Sequence, residues 1–223
     1  MGKFQDAVRD QSSLLAPIEK RALLWLAGRL PAAINSDHLT LLGFLAMFFA
    51  GLCYWWARWN PLALLAVIFW LAVNWFGDSL DGTVARVRNR QRPRYGFYVD
   101  HITDAFGTAF LLIGLGLSGA MSERIALGLL IAYLLLSIQS YLATYALGTF
   151  QLSFWKFSPT ELRVLLAAGN IALLVRGPIA KIAGVEFKLF DVGGVVGIIG
   201  MTLILVTSSI RNTRALYDAE RLP

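Results

Sequence analysis

The chain has few charged residues for its length. Only 15% of its 223 residues are Asp, Glu, Lys or Arg, whereas 57% are hydrophobic. A soluble domain usually contains about 25% charged residues, so this deficit argues against a water-soluble fold. Several apolar runs reach or approach the roughly 20 residues that cross a hydrocarbon core. The composition therefore predicts a polytopic membrane protein.

The sequence has a single cysteine, and no secretory signal is expected at its start. Cys53 is the single cysteine, so no internal disulfide bond is possible, and its apolar surroundings indicate a small core residue. The first seventeen residues contain Lys3 and Asp6 but no apolar core segment, so no secretory signal is expected. The net charge is +6, and the basic residues lie beside apolar runs rather than in a nucleic-acid-binding motif. Anionic lipid head groups, not nucleic acid, are therefore the expected partners of the basic residues.

The apolar runs predict an all-α membrane protein of six transmembrane helices. Residues 18–30 (IEKRALLWLAGRL) are too short and too charged to span, and predict an N-terminal interfacial amphipathic helix. A single membrane domain is expected over 1–223, with a juxtamembrane region at 1–37 and a six-helix bundle at 38–211. An aromatic and polar connection is expected at 148–158. The six predicted spans are 39–57, 61–84, 97–118, 125–147, 159–175 and 192–209.

Lys and Arg residues are concentrated on one side of these spans. Most of the 20 basic residues fall at the N-terminus, in the second and fourth connections and at the C-terminus. Because cytoplasmic loops carry an excess of Lys and Arg, both termini are expected to face the cytoplasm. The basic run at 86–94 (RVRNRQRPR) is interpreted mostly as this topology signal, with only Arg86 assigned another role.

Four aspartates recur at helical spacing on the second and third predicted spans. Asp78 and Asp81 are three residues apart, and Asp100 and Asp104 are four apart, so each pair shares a helix face. The connection between the two helices is short, which predicts that they are antiparallel neighbours. The four carboxylates are therefore expected to converge near the cytoplasmic ends of these helices.

Converging carboxylates in a partly dry site require a counter-charge. Four such groups at close range cannot all stay ionised unaided, and ionisable groups inside membrane segments are costly and usually mark function. The all-oxygen set of Asp78, Asp81, Asp100 and Asp104 favours a hard cation, Mg²⁺ or Mn²⁺, over zinc. Such a cation can bind a pyrophosphate.

Small residues accompany the aspartates. Gly82 and Ala85 lie on the face of Asp81, and Gly96 precedes Asp100 by one helical turn. Their size leaves room for a large ligand against the helix backbone. Arg86, which borders the same face, is available to a phosphate group.

This pattern resembles the signature of the CDP-alcohol phosphotransferase family, D-x2-D-G-x2-A-R followed by G-x3-D-x3-D. Nine residues separate Arg86 from Gly96, slightly more than in the commonest form, but the extra length falls in a connecting loop. The signature covers about one eighth of the chain, and the six-helix layout agrees with the resemblance elsewhere. The matching residues are Asp78, Asp81, Gly82, Ala85, Arg86, Gly96, Asp100 and Asp104.

The resemblance implies a mechanism and a setting. In such enzymes the first three aspartates, here Asp78, Asp81 and Asp100, bind the metal that holds the donor pyrophosphate. The fourth, here Asp104, acts as general base on the acceptor hydroxyl, and attack on the β-phosphorus releases CMP. We expect transfer of a phosphatidyl group from CDP-diacylglycerol to an alcohol. The expected enzyme is a homodimer in a bacterial plasma membrane, with its site open to the cytoplasm.

Other interpretations concern residues near this signature. Asp100 and His101 together also resemble the choline/ethanolamine branch, in which the histidine is a candidate base and a CDP-amino alcohol donates to diacylglycerol. Alternatively, His101 only hydrogen-bonds a metal ligand. Glu161 and Arg163 either border the acceptor site or belong to a helix cap that begins at Ser158. An alternative of another class is a cation transporter that uses the intramembrane aspartates.

Overall fold

The computed structural model describes residues 16–147, 159–182 and 185–221 of the chain. The connection predicted at 148–158, with the helix cap at Ser158, lies outside these residues. Within them, seven helices and one short hairpin follow one another along the chain. The elements are α1 (Ala16–Ala27), α2 (Ser36–Ala57), α3 (Ala63–Val87), α4 (Pro93–Leu117), α5 (Glu123–Leu147), α6 (Pro159–Arg176), β1 (Ile179–Ile182), β2 (Val185–Lys188) and α7 (Leu189–Ala219).

The short helix α1 corresponds to the predicted amphipathic helix. Its Leu23 and Ala27 are buried and pack in one cluster with Leu39 of α2 and Leu80 of α3. Trp25, on another face, keeps 57% of its surface exposed. An exposed tryptophan next to a buried apolar stripe is typical of a helix that lies along a membrane interface.

Two glycines bring α2 and α3 into backbone contact. A Cβ atom at Gly77 of α3 would lie 2.6 Å from the backbone nitrogen of Gly43 and 2.6 Å from the carbonyl oxygen of Leu39. Only a residue without a Cβ fits at this distance, as at other helix contacts built from small residues. Asp78, the next residue along the chain, is thereby placed beside the first half of α2.

Helix α2 lies between α3 and α4. It packs along both of them, and α4 also packs against α5. Gly51 and Gly114 allow α2 and α4 to approach closely, because a Cβ at Gly114 would collide with the Gly51 carbonyl oxygen. The prediction that α3 and α4 are direct neighbours is therefore wrong for most of their length. The glycine contacts of α2 with each of them explain why.

The short return from α3 to α4 is set by a helix-ending motif. Asn89 has a positive φ of 52°, its N–H donates to the carbonyl of Arg86, and the N–H of Arg90 donates to the carbonyl of Ala85. This is the Schellman pattern, which satisfies the last carbonyl groups of a helix. Pro93 then occupies the first turn of α4, where proline is favoured.

Among the residues that the structure describes, four helices are long and apolar enough to cross a membrane, namely α2, α3, α5 and α7. The six-span prediction is therefore confirmed for these four. Helices α4 and α6 are present where spans are predicted, but they are less apolar or more highly charged than these four. Asp100 and Asp104 lower the hydropathy of α4, whereas α6 is short and carries charges at both ends, among them Arg163 and Arg176.

The connection before α7 contains an element that the sequence did not predict. Strands β1 and β2 pair antiparallel, and α7 begins directly after them. The carboxylate of Asp191 in the first turn of α7 accepts hydrogen bonds from the N–H and the Oγ of Ser122, at 2.6 and 2.5 Å. These bonds join the start of α7 to the start of α5.

Candidate active site

Three of the four predicted aspartates form one cluster. Asp78 of α3 and Asp100 and Asp104 of α4 each offer a carboxylate oxygen, and these oxygens all lie within 4.8 Å of one another. Asp78 and Asp100 are partly buried, and Asp104 is the exposed member. The predicted convergence of carboxylates from the two helices is confirmed for these three.

Asp81 is held separately, by α2. Its side chain is buried, and Thr40 Oγ1 donates a hydrogen bond of 2.6 Å to its Oδ2. The backbone N–H of Gly82 donates to its other oxygen. Asp81 does not belong to the cluster of three, but it lines the same cleft. A buried carboxylate requires such donors because desolvation without them is costly.

The cleft opens between α2, α3 and α4. Polar groups line it on the side of α3 and α4, and α2 contributes mostly apolar side chains. The cleft is therefore polar on one side and apolar on the side of α2. The lining residues are Thr40, Gly43, Phe44, Met47, Asn74, Asp78, Asp81, Thr103 and Asp104.

Arg163 of α6 contacts the cluster directly. Its Nη2 donates to Asp78 Oδ2 at 2.5 Å, and its Nε donates to Asn74 Oδ1 at 2.7 Å. Asn74 is buried, and its Nδ2 donates to the Gly43 carbonyl at 3.0 Å. One guanidinium therefore links α6 to α3, and Asn74 extends the link to α2. Glu161 lies in the first turn of α6, two residues before Arg163.

His101 is packed among aromatic rings beside the cluster. Its ring stacks on Phe97, with centroids 4.2 Å apart, and meets Tyr141 edge-on at 5.0 Å. Its Nδ1 lies 2.8 Å from the Phe97 carbonyl oxygen and 3.6 Å from Asp100 Oδ2. Because the carbonyl can only accept, the Nδ1 must carry the proton in this contact. His101 is not among the residues that line the cleft.

The small residues of the signature border the site rather than line the cleft. A Cβ at Gly82 would lie 3.3 Å from Nη1 of Arg86, so this guanidinium folds over the glycine. The Nη2 of Arg86 also donates to Thr83 Oγ1 at 3.2 Å. A Cβ at Gly96 would meet no atom within 4 Å, and Ala85 is partly exposed. The surface is therefore open at Gly96, whereas Arg86 covers Gly82, and the predicted binding of a ligand at these residues stays a prediction.

Thr40 and Asn74 are among the polar residues of the cleft that were not predicted from the sequence. Thr40 is one threonine on an apolar helix, and Asn74 precedes Asp78 by one turn without belonging to the signature. Neither has a spacing or a composition that distinguishes it from a residue of helix packing. Only their contacts with Asp81 and Arg163 reveal their place in the site.

The donor set of the cluster fits a hard divalent cation. Asp78, Asp100 and Asp104 supply oxygen ligands only, which favours Mg²⁺ or Mn²⁺ over metals that prefer nitrogen or sulfur. The charge balance agrees, since three clustered carboxylates exceed the single positive charge of Arg163. These aspartates are therefore a possible metal site.

Comparison with protein families gives a match over most of the chain. A sequence model described as CDP-alcohol phosphatidyltransferase matches residues 34–207, which is more than half of the chain and includes every residue of the cleft. No curated protein matches the chain significantly.

Proposed function

The chain belongs to the CDP-alcohol phosphatidyltransferase family, and we propose that it transfers the phosphatidyl group of CDP-diacylglycerol to a small polar alcohol, with release of CMP. It is a membrane-embedded enzyme of phospholipid synthesis in a family that is metal-dependent and uses this donor. The observation that carries the proposal is the cluster of Asp78, Asp100 and Asp104 beside Arg163.

The donor binds through its pyrophosphate. Asp78, Asp81 and Asp100 are assigned to hold the cation, with Thr40 keeping the Asp81 carboxylate in place. When bound, Mg²⁺ or Mn²⁺ neutralises the pyrophosphate and stabilises the negative charge of the departing CMP. Gly96 and the partly exposed Ala85 leave room for the cytidine, and Gly82 adds to it when the Arg86 guanidinium turns towards the phosphates.

Arg86 serves the donor phosphates. It is exposed at the end of α3, with its guanidinium folded over Gly82. A guanidinium presents several donors to phosphate oxygens in a fixed geometry. This residue therefore differs in role from the other arginines of the basic run.

Asp104 acts as the general base. It takes the proton of the acceptor hydroxyl, whose oxygen forms the new bond to the β-phosphorus as the bond from that phosphorus to the CMP oxygen breaks. Asp104 is the exposed member of the cluster, whereas Asp78 is paired with Arg163 and Asp81 with Thr40. A base must reach the acceptor hydroxyl within hydrogen-bond distance, which favours the accessible carboxylate.

His101 has a supporting role. Its Nδ1 faces the Phe97 carbonyl, and its ring is enclosed by Phe97 and Tyr141. The same nitrogen lies 3.6 Å from Asp100, so the ring orients that carboxylate. This placement supports Asp104 rather than His101 as the base, and with it the phosphatidyl-transfer direction over transfer of a phospho-amino alcohol.

Arg163 binds the acceptor. It lies at the cluster on the side of α6, where an anionic group of the acceptor can replace one of its present partners. Guanidinium groups bind phosphate oxygens through two hydrogen bonds, so a phosphorylated alcohol such as glycerol phosphate is the best-matched acceptor. Glu161, in the first turn of α6, is assigned to the same acceptor site.

The wider architecture is proposed on packing and charge. Helix α4 packs against two candidate spans, α2 and α5, and α6 packs against a third, α3. We assign α4 and α6 as further spans, which gives six. The cytoplasmic orientation of the site and of both termini follows from the distribution of Lys and Arg, and the homodimer from the family resemblance. A bacterial plasma membrane is the proposed location.

The test is CMP release by the purified protein. It is given Mg²⁺, CDP-diacylglycerol and, in turn, glycerol phosphate, serine or an inositol. Asp104→Asn should abolish release, whereas Asp218→Asn, which removes an exposed aspartate paired with Arg221, should leave it intact. Release that depends on one acceptor supports the proposal and identifies the product.

Three outcomes would contradict the proposal. Product formed only from CDP-choline or CDP-ethanolamine with diacylglycerol would assign the opposite direction of transfer. Cation flux into liposomes without CMP release would favour a transporter. Full activity of Asp104→Asn would exclude this carboxylate as the base.

A further inference from the structure

Glu19 of α1 is a charged residue that faces the interior. A single carboxylate oxygen, Oε1, accepts hydrogen bonds from Trp75 Nε1 at 2.8 Å and from Ser79 Oγ at 3.3 Å, both on α3. The same oxygen accepts from Thr160 Oγ1 of α6 at 2.7 Å. One carboxylate therefore joins α1 to two other helices.

The apolar face of α1 explains why Glu19 lies there. Leu23 follows Glu19 by four residues and Ala27 by eight, so all three share the face that packs against α3. The neighbouring Lys20 is exposed. An inward carboxylate is costly unless donors satisfy it, and the three donors meet that requirement.

The residues bonded to Glu19 are adjacent to the site. Trp75 and Ser79 each follow a residue of the Arg163 network, Asn74 and Asp78, by one position. Thr160 precedes Arg163 by three residues and therefore lies on the same side of α6. The first turn of α6 is thus held at two points, by Glu19 through Thr160 and by α3 through Arg163.

We propose that Glu19 is a positioning residue for Arg163. Through Thr160 it holds the first turn of α6 at a fixed distance from α3, so that the guanidinium reaches Asn74 and Asp78. The interfacial helix α1 is by this link a part of the site. An effect of Glu19 on acceptor binding rests on the proposed function. Its effect on the contact between Arg163 and Asp78 does not.

The first measurement uses cation binding without substrate. The melting temperature of the detergent-purified protein is followed as Mg²⁺ is added. Arg163 occupies an oxygen of Asp78, so Arg163→Gln should lower the Mg²⁺ concentration needed for half of the stabilisation. Thr160→Val and Glu19→Ala should shift this midpoint in the same direction by about threefold, the scale of coupling between residues in one network.

Conservative and control variants separate positioning from general damage. Glu19→Gln keeps an oxygen that can accept the two shorter hydrogen bonds, from Trp75 and Thr160, so its Mg²⁺ midpoint should stay near that of the wild type. Lys20→Gln changes the charge of the exposed neighbour and should have no effect. Combining Arg163→Gln with Thr160→Val should shift the midpoint no further than Arg163→Gln alone.

The second measurement is the steady-state rate of CMP release. Thr160→Val should raise the KM for the acceptor while kcat stays within about twofold, because a displaced Arg163 weakens binding rather than the chemical step. A purely structural Glu19 would lower the melting temperature without shifting the Mg²⁺ midpoint, and that result would overturn the proposal. Additive shifts in the double variant would overturn it too. An unchanged acceptor KM in Arg163→Gln, with the coupled Mg²⁺ shifts intact, would refute only the acceptor role.

Discussion

The guanidinium of Arg163 lies 2.5 Å from the Asp78 carboxylate, so an aspartate of the family signature is paired with an arginine from outside it. The pair is partly buried, with side-chain exposures of 15% for Arg163 and 24% for Asp78. Buried pairs of this kind are costly to break from one side, because the remaining charge loses its partner. Arg163 is therefore positioned to influence both the cation and the acceptor.

Replacement of Arg163 should discriminate between acceptors by charge. Arg163→Gln should raise the KM for a phosphorylated alcohol by about tenfold or more, since two charge-assisted hydrogen bonds are lost. The KM for an uncharged inositol should change much less. Arg163→Lys should recover only part of the affinity, because lysine lacks the planar fork. Equal effects on both acceptors would argue against an anion site at Arg163.

Thr40→Val should destabilise the protein through Asp81. Valine has nearly the shape of threonine but cannot donate to the buried carboxylate, and an unsatisfied buried group costs about 1–3 kcal/mol. We expect a lower melting temperature and a higher Mg²⁺ requirement for CMP release. Thr207→Val is the matched control, because the Thr207 hydroxyl is exposed and bonds only within α7. Equal behaviour of the two variants would mean that the bond from Thr40 is not important.

Gly77→Ala should separate α2 from α3. The added Cβ would lie 2.6 Å from the Gly43 nitrogen, so the helices must move apart, at a cost of about 1–3 kcal/mol. Asp78 moves with them, so activity should fall together with thermal stability. Gly200→Ala is the control, since a Cβ there meets no atom within 4 Å. A stable, fully active Gly77→Ala protein would contradict the close contact.

His101→Gln should keep most of the turnover. Glutamine cannot act as a base near neutral pH but can still donate a hydrogen bond towards the Phe97 carbonyl. We expect CMP release to fall by less than about tenfold, whereas loss of a general base typically costs 10²–10⁴. Initial rates at saturating donor and acceptor measure this. A loss in the larger range would identify His101 as the base and would favour transfer of a phospho-amino alcohol to diacylglycerol.

Residue spacing was sufficient to predict the helices and most of the aspartate cluster. The structure has a helix at every position where the apolar runs predicted a span. The intervals between Asp78 and Asp81 and between Asp100 and Asp104 predicted which aspartates share a helix face. Both depend on the geometry of a single helix, which the order of residues specifies. The convergence of the two faces could be predicted because the connection between their helices is short.

Contacts between distant helices could not be predicted in this way. Thr40 and Asp81 are 41 residues apart, Arg163 and Asp78 are 85 apart, and Glu19 and Thr160 are 141 apart. The glycine contacts that place α2 between α3 and α4 were also missed, which made the predicted neighbours wrong. Spacing along the chain says which residues share a helix face. Which faces meet depends on the packing of all the helices at once, and that packing brings Arg163 and Thr40 to the aspartates and Glu19 to Thr160.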